Sequence, residues 1–152
     1  MPNVWAVIGQ GNARKSSTIR ALTGVGNTRH LPPAGATPPL WDVSFVGGPV
    51  QTYVFALALQ EIHITSADFI QMVNASGAHE VIVALRYTNA VYGGAMAYLT
   101  AFQTAGWNIA GYAVLGPNNP GIGFGGGIHI PGNMTTPSNA IAGQLRSAWG
   151  II

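Results

Sequence analysis

A short glycine-containing segment near the start of the chain has the residue types that bind phosphate groups. Gly9 and Gly11 lie in a small polar loop that leads into Arg14 and Lys15 and then into a Ser-Ser-Thr sequence. Backbone N–H groups at the start of a helix attract anions, and a lysine beside them adds a positive charge. The spacing therefore predicts a phosphate-binding loop. Its candidate contact residues are Gly9, Gln10, Gly11, Asn12, Ala13, Arg14, Lys15, Ser16 and Ser17.

A buried strand and a helix are expected to hold this loop in place. Residues 4–8 form an uninterrupted apolar run, which is typical of a strand buried on both faces in a parallel sheet. Residues 16–23 follow as a predicted helix, with Ile19 and Leu22 on one face and Gly24 at its end. A loop between such a strand and helix presents the first N–H groups of the helix to an anion.

The rest of the chain alternates between strand and helix patterns. This alternation predicts a three-layer α/β sandwich with a five-stranded, mainly parallel sheet and one antiparallel edge strand. A single domain is expected over residues 1–152, with residues 116–137 as a glycine- and proline-rich excursion and 138–150 as a final helix. Within the excursion, residues 128–130 have the pattern of an extra strand. The other predicted strands are 40–46 and 50–59, which form a hairpin, 81–85 and 108–115, and the other helices are 67–75, 93–104 and 138–149.

The composition restricts the partners that the protein can have. Only 7% of the residues are charged and the net charge is +2, so the sequence lacks the clustered positive charge that nucleic-acid binding needs. A surface with so little charge resists self-association weakly, which allows a homo-oligomer. The chain has no cysteine, and it has no apolar run long enough to span a membrane. We therefore expect no membrane partner and, by default, a cytoplasmic location.

The first loop resembles the Walker A motif of the P-loop NTPase superfamily. That motif is a glycine, four residues, a second glycine, a lysine and then serine or threonine. Here Gly9 is followed by four residues and then by Arg14, Lys15 and Ser16, so an arginine replaces the second glycine. Over residues 4–115 the order of elements is also similar to that of small Ras-like GTPases, which implies the sheet order 2-3-1-4-5.

The resemblance implies a role for several residues. Lys15 would contact the terminal phosphates and stabilise a transferred phosphoryl group, and Ser16 and Thr37 would hold Mg²⁺. Glu61 follows the third strand, where the family has a magnesium-supporting aspartate, and would orient water. Arg86 follows the fourth strand and would point at the phosphates.

The expected function is binding of a nucleoside phosphate, accompanied at most by slow hydrolysis. ATP is favoured over GTP because residues 86–89 read Arg-Tyr-Thr-Asn where these GTPases have the guanine-reading Asn-Lys-x-Asp. An alternative is a non-catalytic interaction or assembly protein built on a decayed P-loop scaffold. A dinucleotide-binding fingerprint fits less well, because Arg14 stands where its third glycine belongs and no acidic residue marks the next strand end.

Overall fold

The computed structural model describes residues 1–10, 14–25, 40–116, 124, 127–131 and 137–152, and every structural statement below concerns these residues. The elements, in chain order, are β1 (Asn3–Ile8), α1 (Lys15–Thr23), β2 (Trp41–Phe45), β3 (Gly48–Ala58), a 3-10 turn (Leu59–Ile62), α2 (Ser66–Ser76), β4 (Glu80–Leu85), α3 (Ala95–Thr104), β5 (Asn108–Leu115), β6 (Gly127–Ile130) and α4 (Ser138–Trp149).

The predicted α/β class is confirmed, with a mixed and mostly parallel sheet. Six strands lie in the order β2-β3-β4-β1-β5-β6, and β2 is the antiparallel edge strand. The predicted strand count of five is wrong, because β6 pairs with β5 in parallel and extends the sheet. This sixth strand lies inside the segment 116–137 that was expected to be an excursion.

The predicted sheet order 2-3-1-4-5 is also wrong. β4 lies between β3 and β1 and pairs with both in parallel, whereas the prediction placed β1 next to β3. Both β1 and β4 are short apolar runs buried on both faces, so hydrophobic periodicity does not distinguish their places in the sheet. As a consequence, the end of β4 lies between the loop that follows β1 and the 3-10 turn that follows β3.

Helices cover both faces of the sheet and form the two outer layers. α2 and α3 pack on one face through Phe69, Val73 and Phe102, and α1 and α4 pack on the other through residues such as Ile19 and Leu145. None of the helices in the described ranges is long and apolar enough to cross a membrane.

Local signals explain where several of these helices begin and end. Thr65 precedes α2, and its hydroxyl accepts a hydrogen bond from the Asp68 N–H at 3.1 Å. Gly77 ends the same helix with a φ of 71°, a conformation that glycine adopts without strain.

The antiparallel edge of the sheet is partly covered by the residues that follow α4. The Val46 N–H donates to the Gly150 carbonyl at 2.7 Å, and the Ile152 N–H donates to the Ser44 carbonyl at 2.6 Å. Pairing of this kind uses backbone groups that would otherwise be open to a second chain.

Gly111 on β5 allows two tryptophan side chains to pack against the strand. A Cβ added there would lie 3.0 Å from Trp149 Nε1 and 3.1 Å from a ring carbon of Trp5. We expect Gly111→Ala to lower the free energy of unfolding by about 1–3 kcal/mol, as overpacking of a core usually does. Chemical denaturation measures this change.

A matched control makes the same substitution in open space. Gly143 is exposed on α4, and a Cβ there meets no atom within 4 Å. Gly143→Ala should raise the free energy of unfolding by about 0.5–1 kcal/mol, because alanine favours the helix. Equal effects of the two substitutions would contradict the packing argument.

Candidate functional site

An open crevice lies at the carboxyl ends of β1 and β4. These strands are adjacent and parallel, but β1 continues into α1 on one face of the sheet and β4 leads to α3 on the other. Ligands of open α/β sheets bind where neighbouring strands diverge in this way. The crevice has a volume of about 670 Å³. Its lining residues are Gln10, Arg86, Thr88, Asn89 and Ala90.

Arg14 has the backbone conformation of a glycine at the start of α1. Its φ is 65° and its ψ is 28°, which is the left-handed region that non-glycine residues rarely adopt. This is the position at which the Walker A pattern has glycine. The residue before α1 therefore has the left-handed backbone conformation, although it is an arginine and not a glycine. The first N–H groups of α1, beginning at Lys15, have no acceptor within the helix and point toward its amino end.

Lys15 is almost completely buried, with 5% of its side chain exposed. Its ammonium group donates a hydrogen bond to the Gln10 carbonyl at 2.8 Å and lies 4.0 Å from Glu61 Oε1. Burial lowers the pKa of Lys15 to about 8, although the Glu61 carboxylate opposes the shift, and the positive charge of Arg86 adds to it. A buried lysine with a lowered pKa next to a cleft is typical of functional sites.

Glu61 joins Lys15 to the wall of the crevice. Its Oε1 accepts a hydrogen bond from Arg86 Nε at 3.0 Å, and the same oxygen faces the Lys15 ammonium group. We call Lys15, Glu61 and Arg86 the charge cluster. It contains two cations and one carboxylate. Arg86 lines the crevice, whereas Lys15 and Glu61 are not among its lining residues.

Gln60 fixes the backbone of Arg86, the residue that directly follows β4. The Gln60 side chain accepts a hydrogen bond from the Arg86 N–H at 3.0 Å and donates to the carbonyls of Arg86 and Gly93, at 3.1 and 3.2 Å. Only 3% of Gln60 is exposed, so its amide is a buried polar group with its hydrogen bonds made. Gln60 is therefore a positioning residue for the crevice wall.

The loop of residues 86–94 is further ordered by its own side chains. Asn89 Oδ1 accepts hydrogen bonds from the N–H groups of Val91 and Tyr92, at 2.9 and 2.8 Å. The Gln10 amide donates to the Thr88 hydroxyl and so connects the loop after β1 with the loop after β4. These contacts give the crevice polar, uncharged side chains beside Arg86.

The structure brings some predicted site residues together and leaves others apart or outside its description. Lys15, Glu61 and Arg86 form one cluster, and Gln10 lies beside it. The Gly9 N–H bonds to the Leu85 carbonyl at 3.1 Å, which keeps the start of the loop on the sheet.

The serines of the predicted loop lie in the first turn of α1, where Ser17 Oγ accepts a hydrogen bond from Arg20 at 3.4 Å. Gly11, Asn12, Ala13 and Thr37 lie outside the described residues.

Sequence reasoning missed Gln60, Thr88 and Asn89 as site residues. A signal for Gln60 existed, since it is the first polar residue after the end of β3. Thr88 and Asn89 follow β4, which the predicted order 2-3-1-4-5 already placed beside β1, but no motif in the sequence marks these two residues. Their part in the crevice depends on that neighbourhood.

The magnesium site that the resemblance implies stays a prediction, because Thr37 lies outside the described residues. The carboxylate of Glu61 faces two cations, so it is not oriented as a ligand for a third positive charge. In the part of the chain that the structure describes, no three His, Asp or Glu side chains come together as metal ligands. Ser16 contributes only a hydroxyl group.

Comparison with known proteins identifies no family. No protein-family model matches this sequence, and no curated protein or solved structure is significantly similar to it. A relationship to the P-loop NTPases thus remains a prediction that rests on the first loop and its setting.

Proposed function

We propose that the protein binds a phosphate-bearing ligand, specifically a nucleoside phosphate, in the crevice between β1 and β4. The arrangement that carries the proposal is the charge cluster at the point where these two strands diverge. Arg86 on the crevice wall and the buried Lys15 supply positive charge. The amino end of α1 adds partial positive charge on the same edge of the sheet.

The size and polarity of the crevice support a nucleotide over a simple anion. Its volume of about 670 Å³ exceeds the space that a phosphate ion fills. Gln10, Thr88 and Asn89 line it with hydroxyl and amide groups, which suit a hydroxylated sugar and a base. ATP is the first ligand to test, because the residues after β4 lack the guanine-reading sequence.

Binding is better supported than turnover. Hydrolysis needs a group that orients water, and the only predicted candidate, Glu61, is paired with Arg86 and lies near Lys15. In the proposed complex Arg86 contacts the phosphates. Lys15 contributes its charge from the buried side, and the loop after β4 contacts the rest of the ligand.

Calorimetric titration with ATP, GTP, their diphosphates and pyrophosphate, each with and without magnesium, tests the proposal. We expect heat of binding for the parent and a loss of affinity of about tenfold or more for Arg86→Gln and Lys15→Met. Arg146→Gln is the control, since it removes one positive charge from α4. Arg146 donates to the Ala21 carbonyl of α1, so urea denaturation must show that this variant remains folded.

Two outcomes would contradict the proposal. The absence of heat for every ligand at millimolar concentration would remove nucleotide binding. It would favour the non-catalytic interaction protein, an alternative supported by the hydrogen bond that Lys15 makes to the Gln10 carbonyl of its own loop. Equal affinities of the parent and the Arg86→Gln and Lys15→Met variants would place the ligand elsewhere.

A further inference from the structure

Both cations of the charge cluster are directed at one internal carboxylate. Glu61 Oε1 lies 3.0 Å from Arg86 Nε and 4.0 Å from Lys15 Nζ. The Nε–H of Arg86, one of the guanidinium donors that a phosphate group could use, now points at Glu61. The carboxylate thus occupies the part of the site in which the ligand's charge is expected.

Removal of this carboxylate has a predictable electrostatic effect on an anion. Glu61 neutralises one of the two positive charges, and it would repel a phosphate that approaches Arg86. At separations of about 6 Å near a protein surface, such repulsion is enough to change an affinity by about fivefold or more. The Glu61 side chain is partly exposed, with 30% of its surface accessible, so it can turn toward solvent when a ligand arrives.

We infer that Glu61 is an internal competitor, which holds Arg86 and Lys15 in the ligand-free protein and is displaced from Arg86 by the phosphate of the ligand. This inference rests on the proposed function and adds a regulatory element to the same site. It assigns Glu61 a role opposite to the one that the Walker A resemblance implies, in which the acid supports magnesium or orients water.

The two roles predict opposite changes on substitution of Glu61. If Glu61 competes with the ligand, Glu61→Gln frees both cations and tightens binding. If Glu61 supports a metal or the ligand, the same change weakens binding. Glutamine has nearly the shape of glutamate, so it preserves packing while it removes the charge.

Titration of the parent and Glu61→Gln with pyrophosphate and ATP, without magnesium and at about pH 6.5, tests the inference, because Lys15 is protonated there. We expect the affinity of Glu61→Gln for both ligands to exceed that of the parent by about fivefold or more. Asp42→Asn is the matched control. It makes the same change in net charge at an exposed position of β2, and its affinity should equal that of the parent.

The possible results of these titrations distinguish failure of the inference from failure of the proposed function. Binding by the parent that is tighter in Glu61→Gln and unchanged in Asp42→Asn supports the inference. Binding by the parent with equal or weaker binding by Glu61→Gln overturns the inference but leaves the proposed function intact. An equal increase in affinity in Asp42→Asn would show that the increase comes from the change in net charge, and it would also overturn the inference. No binding by either protein overturns the inference together with the proposed function. Urea denaturation of each variant shows whether it is folded.

Discussion

Replacement of Gly94 by alanine is expected to lower the free energy of unfolding by about 3 kcal/mol or more. A Cβ at this position would lie 2.2 Å from the Tyr87 carbonyl oxygen, far inside van der Waals contact. The atom that it meets belongs to the backbone, so no side-chain rotation relieves the contact. The φ of −87° and ψ of −175° at Gly94 suit any residue, so the cost arises from this contact alone.

The same change should disturb the crevice. The Ala95 N–H, at the start of α3, donates to the Tyr87 carbonyl at 3.1 Å, and this bond holds the two ends of the loop 86–94 together. Displacement of Tyr87 would also move Arg86, its neighbour in the chain. We therefore expect Gly94→Ala to weaken binding of a phosphate ligand under conditions in which the variant is still folded.

Urea denaturation and calorimetry, carried out on the same preparations, measure the two effects. Gly143→Ala is the control because it makes the same chemical change in a helix where a Cβ meets no neighbour. A Gly94→Ala variant as stable as the parent would show that the loop can move aside. In that case a glycine at position 94 would not be required for the contact between the loop and the start of α3.

The stability of the protein is expected to rise between about pH 7.5 and 9.5, by about 1–2 kcal/mol. The source is Lys15, whose pKa falls from 10.5 to about 8 on folding because the side chain is buried, an effect that Glu61 opposes and Arg86 reinforces. Below pH 8 the folded protein carries a buried charge. Above pH 8 the folded protein releases the proton, while the unfolded chain keeps it until about pH 10.5.

The sign follows from the number of bound protons. In this window the unfolded chain binds more protons than the folded protein, so the free energy of unfolding increases with pH. Above about pH 10 the trend should reverse, because burial raises the pKa values of Tyr53 and Tyr98 to about 12, so the unfolded chain releases those protons first.

The Lys15→Met variant tests whether Lys15 causes this pH dependence of stability. Lys15 is the only lysine in the sequence, so its removal leaves no other lysine that titrates in this range. Denaturation curves of the parent should shift to higher urea concentration from about pH 7.5 to 9.5, whereas those of Lys15→Met should not. A parallel rise in both proteins would assign the effect to a different group.

The sequence was sufficient for the local structure around the site. The apolar run before Gly9 and the helix that ends at Gly24 both follow from short-range rules, and both are found as expected. Parallel strands end at the same edge of a sheet, so Lys15 and Arg86 were expected on one side of the molecule.

The order of the strands in the sheet could not be predicted from such short-range rules. β1 and β4 have the same apolar character, and either could fill the place beside β3. Because β4 takes it, Arg86 lies between the loop after β1 and the 3-10 turn, and it reaches Glu61 directly. The contact between Arg86 and Glu61 thus depends on the tertiary structure, and it cannot be predicted from the types and spacing of neighbouring residues.

The side-chain amide of Gln60 extends the hydrogen bonding of the sheet by one residue. It accepts from the N–H of Arg86 and donates to the carbonyl of the same residue, which are the two bonds that a neighbouring strand would make. β3 ends at Ala58, and a side chain continues its pairing with β4 beyond that point. The 3-10 turn with Glu61 and the strand end with Arg86 are thereby joined as one rigid piece. Because the backbone of Arg86 is already held by the sheet, binding of a ligand to Arg86 loses little backbone conformational entropy.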